Sequence, residues 1–312
     1  MIHENGNSES VKATVDDRYG KIVSFIVNAR SIIEDCRLKA VGGLTAGLDI
    51  WELAYIPNLL NNCDTWTNID NDTIEKLESL QNMMYRVLMT CPQSTPKGAL
   101  LWDLGGILMK HRINSKKLNF IFHIINMDKS SLASQVYEIQ EKLNLPGLVR
   151  ECKEIIEDLN LPNIFEVKMS KYQWKEKVKC ALKCKNEKDI KSKMEESKKL
   201  KNSELMKEKC EIKEYVKDLN LHDARIIFKH RTSMSQYVKF NFKNDKLYSK
   251  ALWKCECGEI DSENHLMWCK LYKNERNGLD INNNDDLSKY LDKVLKIRMK
   301  KEKPDVGVQS AS

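Results

Sequence analysis

Glycine and proline are scarce in this chain, with 12 and 6 residues respectively among 312. Because both interrupt helices, their scarcity favours a mainly helical fold. No run of about eighteen apolar residues occurs, so the sequence predicts no membrane-spanning helix. The opening stretch, MIHENGNSES, is polar and lacks the apolar centre of a secretory signal. With 10 irregularly spaced cysteines and no sign of export, we expect reduced thiols and an intracellular location, nuclear or cytoplasmic.

Catalytic signatures are also missing. Polymerisation by two metal ions needs carboxylates that hold the ions about 4 Å apart. The adjacent acid pairs Asp16-Asp17 and Asp285-Asp286 are not flanked by the β-branched and aromatic runs of a strand hairpin. The sequence has neither a glycine-rich phosphate loop nor a G-x-S-x-G elbow. We predict no catalytic residues for this chain taken alone, although a site assembled from distant residues stays open.

Three cysteines and one histidine lie close together near the C-terminus. Cys255, Cys257, His265 and Cys269 follow the spacing C-x-C-x7-H-x3-C. Gly258 can supply a tight turn after the cysteine pair, and a helix would bring His265 and Cys269 to one face. Such a set can close around a structural Zn²⁺ ion in a tetrahedral Cys3His site. The alternative is buried free thiols, since the single-residue gap between the first two cysteines is shorter than usual.

Positive charge is concentrated in the middle of the chain, although the net charge is only +7. Residues 166–220 carry 17 lysines against 11 acids, and residues 221–254 carry 8 basic residues against 2 acids. The segments on either side are slightly acidic. Such asymmetry indicates a polyanionic partner. The lysine-rich 166–220 block either contacts a nucleic-acid backbone or is an ordinary solvated helix surface.

The basic stretch at 225–243 precedes the segment 255–269, which we call the knuckle, and combines cations with apolar and aromatic residues. Arg225, Lys229 and Arg231 fall in a predicted helix, and Lys239 and Lys243 follow among aromatic residues. Lysine and arginine neutralise phosphates while exposed aromatics stack on bases, so these five residues predict a nucleic-acid-binding surface. The alternative is that the aromatics belong to the core of the knuckle domain.

A five-residue pattern occurs three times, at 142–146, 158–162 and 218–222. It reads K-L-N-L-P, D-L-N-L-P and D-L-N-L-H. Asparagine tolerates the left-handed backbone that ends a helix, and proline suits the first turn of the next one. We predict a junction between two helices at each copy.

The sequence predicts a mainly α fold, with a multi-helix body followed by a small zinc-knuckle module with little or no β structure. A chain of this length suggests about two domains. We divide it into a polar lead-in at 1–17, expected to be disordered, a helical body at 18–165, a lysine-rich helical linker at 166–220, a basic helix with the knuckle at 221–279, and a loop, short helix and disordered tail at 280–312.

Several stretches, among them the knuckle with the following LYKNER (271–276) and the upstream GLDIWELAYIPNLLNNCDTW (47–66), resemble the C-terminal region of non-LTR (LINE-type) retrotransposon reverse transcriptases. The knuckle followed by LYKNER (271–276) is similar to the cysteine-histidine knuckle of these enzymes. The order of the similar stretches along the chain is the order in the family. Those that resemble the segment after the palm are GLDIWELAYIPNLLNNCDTW (47–66), LESLQNMMYRVLMTCPQSTPKGALLWDLGG (77–106) and LNLPGL (143–148).

The resemblance implies a thumb, connector and knuckle without the polymerase carboxylates. In that family the thumb grips the template–primer duplex, and the knuckle region helps to bind element RNA and target DNA during target-primed reverse transcription. It implies zinc ligation by Cys255, Cys257, His265 and Cys269, whereas the lysine-rich block matches no family motif. We therefore expect an RNA- or DNA-binding chain that is not catalytic alone. The alternative is a zinc-stapled structural or interaction protein derived from a retrotransposon relic.

Overall fold

The computed structural model describes residues 5–34, 40–197, 200, 204–232 and 254–302. Within those ranges there is no strand, only isolated bridges between Leu104 and Ile212 and between Lys254 and Ile260. The predicted mainly α fold is confirmed. The α-helices are α1 (Asn5–Glu34), α2 (Gly43–Ile50), α3 (Ile56–Leu59), α4 (Asn71–Met89), α5 (Lys97–Asp103), α6 (Met109–Ile125), α7 (Leu132–Lys142), α8 (Leu148–Asp158), α9 (Lys171–Glu195), α10 (Glu214–Asp218), α11 (Leu221–Arg231), α12 (Glu263–Trp268), α13 (Lys273–Arg276) and α14 (Asn284–Glu302). None of the helices in the described ranges combines the length and the apolar character needed to cross a membrane.

The first helix begins earlier than the composition suggests. The structure differs from the expectation of a disordered lead-in at 1–17, because residues 5–17 form the first turns of α1. Val11 and Val15 are buried there, on the same side of the helix as Ile22 and Ile26. This stripe packs against α4. The segment is polar on average, but its two buried valines allow tertiary contact to stabilise it as a helix.

Two hydrophobic cores divide the described part of the chain. The larger one joins residues from α1 to the start of α6 with residues 190–294, and the smaller one lies within 118–182. The long helix α9 contributes to both, since Trp174 belongs to the smaller core and Met194 to the larger. The Trp174 indole N–H also donates to the carbonyl of Leu118 at 3.1 Å. The segment predicted as a linker is therefore a packed helix over α9, while the predicted domain boundaries stay a prediction.

The asparagine junctions behave in two different ways. Asn144 and Asn160 have φ angles of 46° and 49°, so two of the predicted helix-ending turns are confirmed. Asn220 instead precedes α11, where its side-chain oxygen accepts from the Asp223 N–H at 3.0 Å. The third copy is also a junction, since it joins α10 to α11, but its asparagine caps the start of α11 instead of ending α10 in the left-handed conformation.

The C-terminal helix α14 is the element that holds the knuckle region. It packs against α11 and α13, and it buries Tyr290, Leu291 and Val294 in the larger core. It runs from Asn284 to Glu302, further than the short helix that the sequence predicts. The tail predicted after it lies, from residue 303, outside the described residues.

Candidate metal centre

A tight turn positions the first two candidate ligands. The Cys255 N–H donates to the carbonyl of Glu259 at 2.8 Å, and the Gly258 N–H donates to the carbonyl of Cys255 at 2.9 Å. Gly258 has a φ of 97°, in the region that favours glycine. The isolated bridge between Lys254 and Ile260 closes this turn. Both thiols are thereby held on a short, hydrogen-bonded loop.

A short capped helix positions the other two. Ser262 caps α12, and its hydroxyl accepts from the His265 N–H at 3.1 Å. His265 lies inside α12, whereas Cys269 is the residue immediately after its end, with φ −57° and ψ 128°. The predicted arrangement of both on one helix therefore needs a small correction. Cys269 reaches the site from the helix terminus and is almost fully buried.

The four predicted ligands come together in space. Their ligand atoms, three sulfurs and one imidazole nitrogen, all lie within 4.8 Å of one another. The Cys255 and Cys269 sulfurs are 3.8 Å apart, and the Cys257 sulfur is 3.2 Å from His265 Nε2. A tetrahedral ion with Zn–S bonds of about 2.3 Å requires S···S distances of about 3.8 Å. The cluster could therefore hold one metal ion.

Protonation of the thiols depends on the environment that each one meets. Burial raises the pKa of the Cys255 thiol to about 12. At Cys257 burial also acts upward, but the Glu259 N–H and the thiols of Cys255 and Cys269 together lower the pKa below its ordinary value. Because a metal ligand must be a thiolate, binding of a cation here would displace a proton from Cys255.

A buried network ties the cluster to the C-terminal helix. Asp261 forms an ion pair with Arg298 of α14, with N–O distances of 2.9 and 2.7 Å. Arg276 Nη1 donates to the carbonyl of Cys269 at 2.8 Å and to the Tyr290 hydroxyl at 3.1 Å. Sequence reasoning missed these partners, because no local spacing connects them to the knuckle.

The predicted phosphate-binding arginines have partners within the protein. Arg225 Nε donates to the carbonyl of Leu88 at 2.8 Å. Arg231 pairs with the fully buried Asp103 at 3.0 Å and with Glu208 at 2.8 Å. Phosphate contact by these residues stays a prediction.

Of the three lysines predicted to bind nucleic acid, the structure describes only Lys229. Lys229 is half-buried and lines a cavity of about 280 Å³ between α11, α14 and Leu266. Lys239 and Lys243 lie outside the described residues. Phosphate contact by Lys229, Lys239 and Lys243 therefore stays a prediction.

The sequence and the fold were compared with those of known proteins. Models of protein families, curated protein sequences and solved structures gave no match.

Proposed function

We propose that this chain is a nucleic-acid-binding helical protein whose knuckle is closed by one structural zinc ion, equivalent to the C-terminal portion of a non-LTR reverse transcriptase. The observation that carries the proposal is the convergence of four ligand atoms within 4.8 Å of one another. Three sulfurs and an imidazole are a donor set that zinc prefers. With four protein ligands the coordination is complete, and a closed site of this kind stabilises structure rather than performing catalysis.

Binding of RNA or DNA is supported by charge and by resemblance. The excess of basic residues lies in 166–254, directly before the knuckle. A polyanion is the partner that such an asymmetric distribution favours. The stretches similar to the post-palm and knuckle regions of LINE-type enzymes support the same class of partner, with the polymerase carboxylates outside this chain.

A second candidate function is a zinc-stapled structural or interaction protein. The internal pairing of Arg231 with Asp103 and Glu208 favours it, because that cation neutralises carboxylates of its own chain. In this case the zinc ion would stabilise the fold, and no affinity for nucleic acid would follow.

The metal part is tested by elemental analysis of the purified chain. We expect one zinc per chain, lost in a Cys255→Ser/Cys269→Ser variant. The matched control is Cys180→Ser/Cys184→Ser, which changes two exposed cysteines of α9 and should keep the metal. A chain that carries no zinc, or that keeps it in the first variant, would contradict the proposed site.

The nucleic-acid part is tested by fluorescence anisotropy with single-stranded RNA and duplex DNA over a range of salt concentrations. We expect binding whose affinity falls steeply as salt rises, because lysine–phosphate contacts release counterions. No binding at low salt, with zinc present, would leave the structural or interaction protein as the better description.

A further inference from the structure

The long helix α9 presents two contrasting sides. Trp174, Val178, Leu182, Ile190 and Met194 are buried against the rest of the protein. The remaining surface carries most of the lysines of the 166–220 block. Because α9 is packed, the backbone positions of its exposed lysines are fixed. Their spacing in the sequence then determines which lysines are neighbours on the helix surface.

Four of the lysines form a single row. Lys171, Lys175, Lys179 and Lys183 are each four residues apart and all exposed. Residues at this spacing are neighbours on a helix, so the row follows one edge of α9 over about 18 Å. We call these four residues the lysine row.

The lysine row is not explained by the stability of α9. Like charges four residues apart repel and destabilise a helix. Within the described residues none of the four pairs with a carboxylate, whereas Lys185 on another side of α9 pairs with Asp158 at 3.0 Å. Acids do flank the row, with Glu176 directly after Lys175 and Glu187 four residues after Lys183, but within the described residues neither forms an ion pair with a lysine of the row.

An exposed aromatic residue stands at the start of the row. Tyr172 is 75% exposed, and it lies three residues before Lys175 on neighbouring helix positions. Because it faces solvent, the Tyr172 ring is accessible to a base that lies along the row. Lysines combined with a solvent-facing ring form the pattern by which proteins bind single strands, since the cations hold phosphates and the ring stacks on a base.

The C-terminal end of α9, beyond the row, lies near α11 in the basic segment 221–254. Ile190 and Met194, which follow the row along α9, belong to the same hydrophobic core as Ala224 and Phe228 of α11. The row therefore leads from Tyr172 toward the helix that precedes the knuckle.

We propose that the lysine row and Tyr172 bind the backbone and one base of a single-stranded nucleic acid. The class of ligand rests on the proposed function, whereas the location on α9 rests on the spacing, exposure and lack of carboxylate partners described above. A single strand is favoured over a duplex because only an unpaired base can stack on the Tyr172 ring.

The test compares two triple variants of α9 with the wild-type chain. The row variant is Lys175→Gln/Lys179→Gln/Lys183→Gln, and the matched control is Lys177→Gln/Lys188→Gln/Lys193→Gln, three exposed lysines off the row. Affinity for a fluorescein-labelled oligouridylate is measured by anisotropy across a salt series. We expect the slope of log affinity against log salt to fall by about 2 in the row variant, at about 0.7 per phosphate contact, and to stay at the wild-type value in the control.

The outcomes separate this inference from the proposed function. If the wild type binds but the row variant keeps its slope, or the control loses as much, the assignment to the row is overturned while nucleic-acid binding stands. If the wild type itself does not bind at low salt, the proposed function and this inference fail together. Competition by polyglutamate as strong as that by unlabelled oligouridylate would reassign the row to an acidic protein and overturn the inference.

The ring has its own pair of variants. Tyr172→Ala should weaken binding of the oligouridylate roughly tenfold, while Tyr172→Phe should keep wild-type affinity because stacking needs only the ring. Equal affinity in the alanine variant would overturn the stacking assignment. Circular dichroism of each variant checks that α9 stays folded.

Discussion

Arg298 on the last helix holds Asp261 in the knuckle through two parallel hydrogen bonds, Nη1 to Oδ2 at 2.9 Å and Nη2 to Oδ1 at 2.7 Å. The side chain of Asp261 is 1% exposed and that of Arg298 is 9% exposed. Arg298 Nε also donates to the Tyr272 hydroxyl at 3.1 Å. The knuckle is therefore fixed by a buried ion pair as well as by its four candidate metal ligands.

Loss of one partner of this pair should destabilise the C-terminal region strongly. In Arg298→Met the buried carboxylate of Asp261 loses its bidentate partner, which typically costs about 3–5 kcal/mol. We expect the free energy of unfolding, measured by urea denaturation with zinc present, to fall by an amount in that range. The control is Lys289→Met, which removes an exposed ion pair with Asp285 and should change stability little. Equal urea midpoints for the two variants would contradict a structural role for the buried pair.

Removal of the metal should release more than the knuckle itself. Cys255, Leu266 and Cys269 share one core with Tyr290 and Val294 of α14. Because binding of zinc contributes to folding of small sites, chelation should lower protection against hydrogen exchange across residues 254–302. Amides of residues 118–125 and of α8 should keep their protection, since these residues pack in the smaller core. Loss of protection confined to the four ligands would contradict this coupling.

Replacement of Arg231 should lower the free energy of unfolding of the protein. Asp103 is fully buried, and it accepts hydrogen bonds from Arg231 Nε at 3.0 Å and from the Tyr215 hydroxyl at 2.8 Å. Arg231→Met removes the two N–H groups that donate to that carboxylate, at 3.0 and 3.4 Å. We therefore expect the free energy of unfolding, measured by urea denaturation, to fall by about 3 kcal/mol. Lys229→Met, on the same helix, should stay within about 0.5 kcal/mol of wild type. A stable Arg231→Met chain would refute the structural role.

The sequence predicts what depends on near neighbours. The four candidate ligands lie within 255–269, so a turn and a short helix suffice to bring them together. Asn144 and Asn160 end helices as predicted, because a left-handed asparagine followed by leucine and proline is a local signal. Asn220 differs because no proline follows and Asp223 offers its N–H to the asparagine side chain instead.

Long-range partners are what the sequence alone does not reveal. Arg231 carries the charge expected of a phosphate contact, yet its carboxylate partner Asp103 lies 128 positions away in the chain. Val11 and Val15 sit in a polar stretch, and only the position of α4 explains their burial. Composition gives the sign of a charge or the average polarity of a segment, whereas tertiary packing decides which side chains meet.

Acid should destabilise the protein through His230. Burial, followed by the nearby positive charge of Arg231, lowers the pKa of His230 from 6.5 to about 4. Between these two pH values the unfolded chain takes up a proton that the folded chain does not bind. The stabilising contribution of neutral His230 is therefore complete above pH 6.5, is lost progressively as the pH falls to about 4, and changes no further below that.

The contribution of His230 is measured by the difference in pH dependence between wild type and His230→Gln. Urea denaturation from pH 7 to pH 4 should show wild type losing about 1–3 kcal/mol more than the variant over this range. Glu78, whose pKa burial raises, acts with the opposite sign, but it is present in both chains and cancels in the comparison. His123→Gln serves as the control, because it replaces an exposed histidine of α6 and leaves His230 and Arg231 in place. Identical pH dependence in wild type and His230→Gln would mean that the histidine is equally solvated in the folded and unfolded chains, contrary to its position beside Arg231.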